Sequence, residues 1–303
     1  MSKRITIVLA LLLMEVGANI FAQEAMDFMA LVPKENLPTI DSLISARSYD
    51  VLNECMVDVD GERGQVAVID ANTSDVLAWG DLENVNGDIA YVPLFKKFCS
   101  SEILMPFVAA DCLALSNTSL EDSVDMGCGI LVLNDNVQIR DHNWRSGGYG
   151  MLTYRKALLN KSRIGMYHAM MTLPDGMDYW THATDQRKNT NAMEIAMTFN
   201  NAFHQDSVNV SVERRSNIRK IAIGMFKEEG IQHRCAPKGV ELAGVYDVAN
   251  EGKEQTFSFV GCFPADKPKY AVCMVVQRKR KLPAASPMLA DKVNMLIDWL
   301  IKR

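Results

Sequence analysis

Apolar positions along the chain change period several times, and each change marks an element. From Thr39-Ile40-Asp41 onward, Leu43, Ile44, Val51, Leu52 and Cys55 recur at roughly helical spacing, with Thr39 as the candidate cap. Residues 64–70 read as a strand by their β-branched content. The turn-rich residues 71–75 then lead to a second strand over 76–79, so the pair forms a hairpin. Residues 81–98 read as loop. An apolar helix follows over 103–116, with Pro106 tolerable in its first turn. Residues 117–152 are glycine-punctuated loop. Helical patterns return over 153–171, 190–203 and 212–229, the last stopping at Gly230. Strands are expected over 240–248, 256–263 and 270–277, the last two joined around Pro264 to Pro268. A final helix covers 288–301.

A hairpin, a block of helices, then three strands and a helix predict an α+β fold. The first hairpin and the last three strands are expected to form one five-stranded antiparallel sheet flanked by helices. No repeat or low-complexity linker divides the chain, so a single domain is expected over 37–303, after a short irregular leader at 23–36. Before that, Lys3 and Arg4, the apolar run ending at Met14 and the small residues up to Ala22 read as a secretory signal over 1–22, cleaved after Ala22. Glu15 interrupts the run well short of the ~20 apolar residues that span a bilayer. The expected location is periplasmic or otherwise extracytoplasmic, in a bacterium, with membrane contact only through an uncleaved signal.

A net charge of -5 argues against a nucleic-acid partner. The basic run Arg278 to Lys281 reads as a solvated strand end. Seven cysteines show no CxxC pair, and five scattered histidines form no ligand pattern, so neither metal nor cofactor is expected. Most of the cysteines read as small core residues.

Several ordered segments resemble one family. Leu37 to Asp41 resembles the segment before the first helix of penicillin-binding-protein transpeptidase domains, and Gly64 to Trp79 resembles their opening hairpin. Ile139-Arg140-Asp141 with Tyr149 to Leu158 resembles their loop into the helix of the second motif. Phe257 to Val272 resembles their last hairpin almost throughout. The resemblance spans nearly all of the expected mature chain and implies the β-lactamase/transpeptidase-like fold.

Active members of that family carry Ser-x-x-Lys, Ser-x-Asn and Lys-Thr/Ser-Gly around one groove. The lysine activates the serine hydroxyl for acyl transfer, and backbone N–H groups hold the oxyanion. At the matching positions Glu102 stands for the serine and Met105 for the lysine of the first motif. Lys161 and Arg163 flank Ser162 where the second motif belongs, and Val245, Tyr246 and Asp247 replace the third after Ala243-Gly244. No serine in the chain has a lysine three residues on. The only literal Ser-x-Asn, Ser207-Val208-Asn209, lies elsewhere.

The resemblance therefore implies an inactive transpeptidase-like domain. Its expected role is to bind peptidoglycan peptides or cell-envelope proteins, with Ser101, Glu102, Lys161, Ser162, Arg163 and Trp144 as candidate ligand contacts. Glu102 and Asp247 against Lys161 and Arg163 suggest a groove that prefers an amine-bearing ligand to a bare carboxylate. A salt bridge from Glu102 to Lys161 or to Arg163 is also a candidate. The alternative is an active acyl-transferase or hydrolase using non-standard residues, such as Cys99, Ser100 or Ser101.

Overall fold

The computed structural model describes residues 39–92, 97–134, 137–184, 189–203, 211–282 and 284–303, without the side chains of residues 99–101, 189, 286 and 287. The expected signal and leader, and Ser207-Val208-Asn209, lie outside the described residues. Helix α1 (Ser42–Val59) starts where the Asp41 carboxylate accepts the backbone N–H groups of Leu43 at 2.9 Å and Ile44 at 3.0 Å. Asp41, not Thr39, is the cap, because an N-cap carboxylate satisfies donors that the helix itself cannot reach.

Strands β1 (Arg63–Asp70) and β2 (Val76–Val85) form the expected hairpin, but β2 runs well past Trp79. It turns at Asn86-Gly87 into β3 (Asp88–Val92). Both turn residues have positive φ, 59° and 102°, which suits the two-residue turns that follow the twist of a hairpin. The stretch read as loop therefore supplies a sixth strand.

The chain continues through the short strand β4 (Cys99–Ser100), a 3₁₀ turn at Ser101–Leu104 and α2 (Met105–Leu115), which is buried on nearly every side. Small strands β5 (Ser123–Asp125), β6 (Ile130–Asn134), β7 (Val137–Arg140) and β8 (Met151–Thr153) build the glycine-rich region. The helix expected over 153–171 is two: α3 (Tyr154–Leu159) and α4 (Arg163–Met170). Lys161 breaks it with a φ of 53°, and Ser162 caps the second piece. Helix α5 (Gly176–Ala183) has no counterpart in the sequence pattern. After it come β9 (Asn189–Thr190), α6 (Ala192–Phe203) and α7 (Val212–Gly224), which stops short of Gly230. Strands β10 (Ala243–Glu251), β11 (Glu254–Phe263) and β12 (Tyr270–Lys279), then α8 (Ala290–Ile301), complete the chain.

The antiparallel sheet runs β10-β11-β12-β1-β2-β3. Alternation along β1 shows how its two faces are covered. Gly64 lets α1 pack directly on the sheet, since a Cβ there would come within 2.9 Å of Leu52 and 2.8 Å of Met56. Its neighbour Gln65 points to the opposite face. There it accepts from the Ala192 N–H at 3.1 Å and donates to Asp81 at 3.0 Å, tying the start of α6 to the sheet. Helix α8 lies beside α1, with Lys292 2.7 Å from Glu54. On the α6 side, α2 is held between α4 and α7, and Arg214 of α7 grips Asp111 of α2 through two bonds of 2.6 Å.

The basic run is not simply solvated. Arg278 is buried, donating to Gln255 Oε1 at 2.8 Å and to the carbonyls of Val59 at 3.0 Å and Lys281 at 3.2 Å. Cys55, Cys112, Cys235 and Cys262 are buried, whereas Cys128 is exposed. Among the described residues no helix is long and apolar enough to cross a membrane.

Candidate functional site

The 3₁₀ turn at Ser101–Leu104 packs against β10 and β11, which brings the first motif-equivalent segment to the edge of the sheet. Glu102 lies at this edge with its side chain 13% exposed, and its carboxylate meets Arg163 Nη1 at 3.2 Å and Nη2 at 3.5 Å. Arg163 opens α4, so this fork ties the 3₁₀ turn to the start of that helix. Met105 is buried at the head of α2. The side chain of Ser101, like those of Cys99 and Ser100, lies outside the described residues.

Ser162 was expected to touch a ligand but is fully buried and capping. It accepts from the Gly165 N–H at 2.9 Å and donates to Asp141 Oδ2 at 2.8 Å. Asp141 also accepts from the Ile164 N–H at 3.1 Å. A buried carboxylate is thus stabilised by the orphan donors and positive end of α4. These bonds leave Ser162 committed to the helix start.

The residues after Ala243-Gly244 divide by their place along β10, burial ending after Tyr246. Val245 and Tyr246 are fully buried, so neither side chain faces a groove. The Tyr246 ring packs against Phe259 at a centroid distance of 4.7 Å and against Phe226 at 6.0 Å. Asp247 does reach the groove, where it makes a short ion pair with Lys161. Lys161 Nζ also donates to the Tyr246 carbonyl at 2.8 Å. Of the two cations expected to pair with Glu102, Arg163 does so, whereas Lys161 turns to Asp247. Cations and acids expected on opposing walls neutralise one another directly.

A further residue, not anticipated from the sequence, is Gln232. Its amide accepts from the Tyr246 N–H at 2.8 Å and donates to the Tyr246 carbonyl at 2.6 Å. An edge strand normally presents such groups to an incoming strand. Here β10 is capped from within at the centre of the third motif-equivalent segment. No motif in the sequence marks Gln232, because a loop glutamine acquires this role only through the chain path after α7. Glu251, at the far end of β10, has its carboxyl raised above the ordinary range by burial, reinforced by Glu102 and Glu254.

The glycine-rich loop adjoins this region. His142 Nε2 and Tyr149 Oη are 2.8 Å apart, and Tyr149 also donates to the Asn160 carbonyl at 3.4 Å. Burial lowers the His142 pKa against the pull of Asp141, with Lys161 acting in the same direction as burial. Burial likewise pushes the Tyr149 phenol up to about 12. Both groups are therefore neutral at neutral pH. Trp144 is half-buried between two guanidinium groups, Arg140 at 5.1 Å and Arg145 at 5.0 Å from its ring centroid. Among the described residues, no group of His, Cys, Asp and Glu is arranged to hold a metal.

No family model matches the sequence, and no curated protein matches it. Solved structures do. A peptidoglycan glycosyltransferase from Burkholderia ambifaria superposes with a TM-score of 0.69 at 18% identity, over 87% of this chain and 97% of the other. The apo TP domain of penicillin-binding protein 3 from Burkholderia pseudomallei gives 0.67 at 18% identity, over 88% and 98%. The coverage is nearly complete on the neighbours' side, so the similarity concerns the whole architecture and not one motif. Sheet, flanking helices and these neighbours agree: the chain has the fold of a penicillin-binding-protein transpeptidase domain.

Proposed function

We propose that this is a catalytically inactive transpeptidase-like domain that acts outside the cytoplasm by binding a protein of the cell-wall apparatus. The observation that carries this reading is the capped β10 edge. Gln232 and Lys161 occupy the backbone groups of Tyr246, and Lys161 in turn neutralises Asp247. An extended peptide could add to this edge only by displacing a buried glutamine and a paired lysine. That favours a protein partner over a peptidoglycan stem peptide in the groove. It also removes the amine preference that unpaired groove acids would have created.

The chemistry points the same way. Acyl transfer requires a nucleophile, a base and oxyanion donors acting as a unit. A carboxylate paired to Arg163 and a buried thioether stand at the first two positions. Incubation of the purified protein with a disaccharide-pentapeptide, followed by product chromatography and titration calorimetry, tests this directly. The expected result is no released terminal amino acid, no cross-linked product and no specific heat of binding. Turnover would overturn the inactive reading. Tight binding without turnover would move the ligand back from protein to peptidoglycan.

A further inference from the structure

A second charged surface lies away from the groove, along the outer face of α7. An open cleft of about 710 Å³ runs between this helix, α3 and the segment after α7. It is lined by Arg155, Arg215, Arg219, Lys220 and Lys227, against the single acid Glu229. Glu229 is already engaged by Arg155, and Lys227 reaches Glu241 at the rim. Arg219 and Lys220 have no carboxylate partner among the described residues. On a chain whose net charge is -5, such a concentration of cations is a local reversal of sign.

Two features make this more than a solvated helix face. Arg219 is held in place: its guanidinium donates to the carbonyls of Ala265 at 2.9 Å and Phe203 at 3.4 Å, and lies 4.4 Å over the Phe203 ring. Its charge is therefore fixed at the cleft and meets no carboxylate among the described residues, so a bound anion would not have to order it. The same cleft also carries apolar surface. Val212 is 77% exposed at one end and Ile223 is half-buried midway along.

We propose that this cleft docks an acidic, amphipathic peptide segment of a partner protein. Acidic side chains would meet the cations and apolar ones would meet Val212 and Ile223. From Arg215 to Gly224 the cleft follows α7 for about 14 Å at helical rise, long enough for several residues of such a segment. The concavity suits a narrow strand or helix better than a flat lipid surface. The exposed Val212 and the half-buried Ile223 would be wasted on a fully hydrated polyphosphate. Because the cleft shares no named residue with the groove, this inference does not rest on the inactive reading.

The test uses the whole protein and a fluorescein-labelled peptide of repeating Glu-Glu-Leu units, followed by anisotropy at low salt. The expected result is saturable binding that weakens with added salt, and no binding of the matching Lys-Lys-Leu peptide. Lys220→Glu should weaken the acidic peptide by about tenfold or more, and Lys220→Ala by a few-fold, as expected for a desolvated charge contact. Lys253→Glu makes the same charge change on the β10–β11 turn and should leave the affinity within about twofold. Lys220 is exposed and unpaired, so both of its variants should keep the wild-type circular dichroism. Equal weakening by the Lys220 and Lys253 variants would reduce the effect to overall charge and overturn the site. Tighter binding of inorganic polyphosphate, or of vesicles containing anionic phospholipid, would overturn the peptide as its ligand class.

Discussion

The groove and the α7 cleft both attract attention for their lysines and arginines, yet they differ in what those cations face. In the groove, Lys161 meets Asp247 and Arg163 meets Glu102, so each cation ends on a carboxylate of the same chain. In the cleft, Arg219 is anchored only to carbonyls and a ring, and Lys220 projects without a partner among the described residues. Counting basic residues would rank the two alike. Pairing separates them: both groove cations end on carboxylates, whereas the cleft holds Arg219 and Lys220 without a carboxylate partner among the described residues, beside the paired Arg155 and Lys227. Helix α7 contains both situations, since Arg214 turns inward to Asp111 while Lys220 is exposed in the cleft.

That contrast can be broken by removing one partner at a time. The largest effect is expected at Arg214→Ala. The pair is mostly buried, with side chains 11% and 16% exposed, and Asp111 would be left without its two bonds. Breaking a buried pair in this way costs about 3 kcal/mol. Urea unfolding should show the midpoint falling with an unchanged slope. An unaltered midpoint would mean that the pair is not formed in solution.

Asp247→Ala comes next. Lys161 would keep its bond to the Tyr246 carbonyl but lose its counter-charge at a site 17% exposed, for about 2 kcal/mol by the same measurement. Glu102→Ala should cost under about 1 kcal/mol, because Arg163 is 44% exposed and water can replace the carboxylate. This smaller loss should shrink further in high salt, whereas the Arg214 loss should persist. If the Glu102 effect exceeds that of Asp247, the ordering by burial fails.

The smallest effect lies outside both regions. Asp41 has its pKa lowered chiefly by the Ile44 N–H, with Arg303 assisting. A carboxyl whose folded pKa is depressed adds stability above its unfolded pKa and loses it as pH falls through the folded one. Wild type should therefore lose part of its stability below the ordinary carboxylate range, and Asp41→Asn should lose less over the same pH interval. Parallel pH profiles for the two proteins would remove Asp41 from the account.

Much of the architecture was legible because period and turn chemistry are local. The first hairpin, the apolar α2 and the β11–β12 hairpin all follow from side-chain spacing. Strand β3 was also signalled locally by Asn86-Gly87 between alternating residues, a two-residue hairpin turn that the loop reading passed over. The break between α3 and α4 is harder to see, since it depends on Lys161 adopting a left-handed conformation fixed by its contacts to β10. The site was legible only in its losses. Glu102 and Met105 are what the resemblance sets at the first motif, and the inactive reading proposed above starts from them. Which acid pairs with which cation, the burial of Tyr246 and the capping by Gln232 are products of the chain path, and no spacing rule encodes them.

The most direct test of the central claim, a transpeptidase fold without its chemistry, is covalent labelling. The purified mature protein is incubated with a fluorescent penicillin, then examined by denaturing electrophoresis and intact mass. With Glu102 paired to Arg163 and Met105 buried, there should be no heat-stable fluorescent band and no mass increase. A stoichiometric adduct on the wild-type chain would contradict the account, and mapping it to Cys99, Ser100 or Ser101 would identify the nucleophile that replaced the lost one.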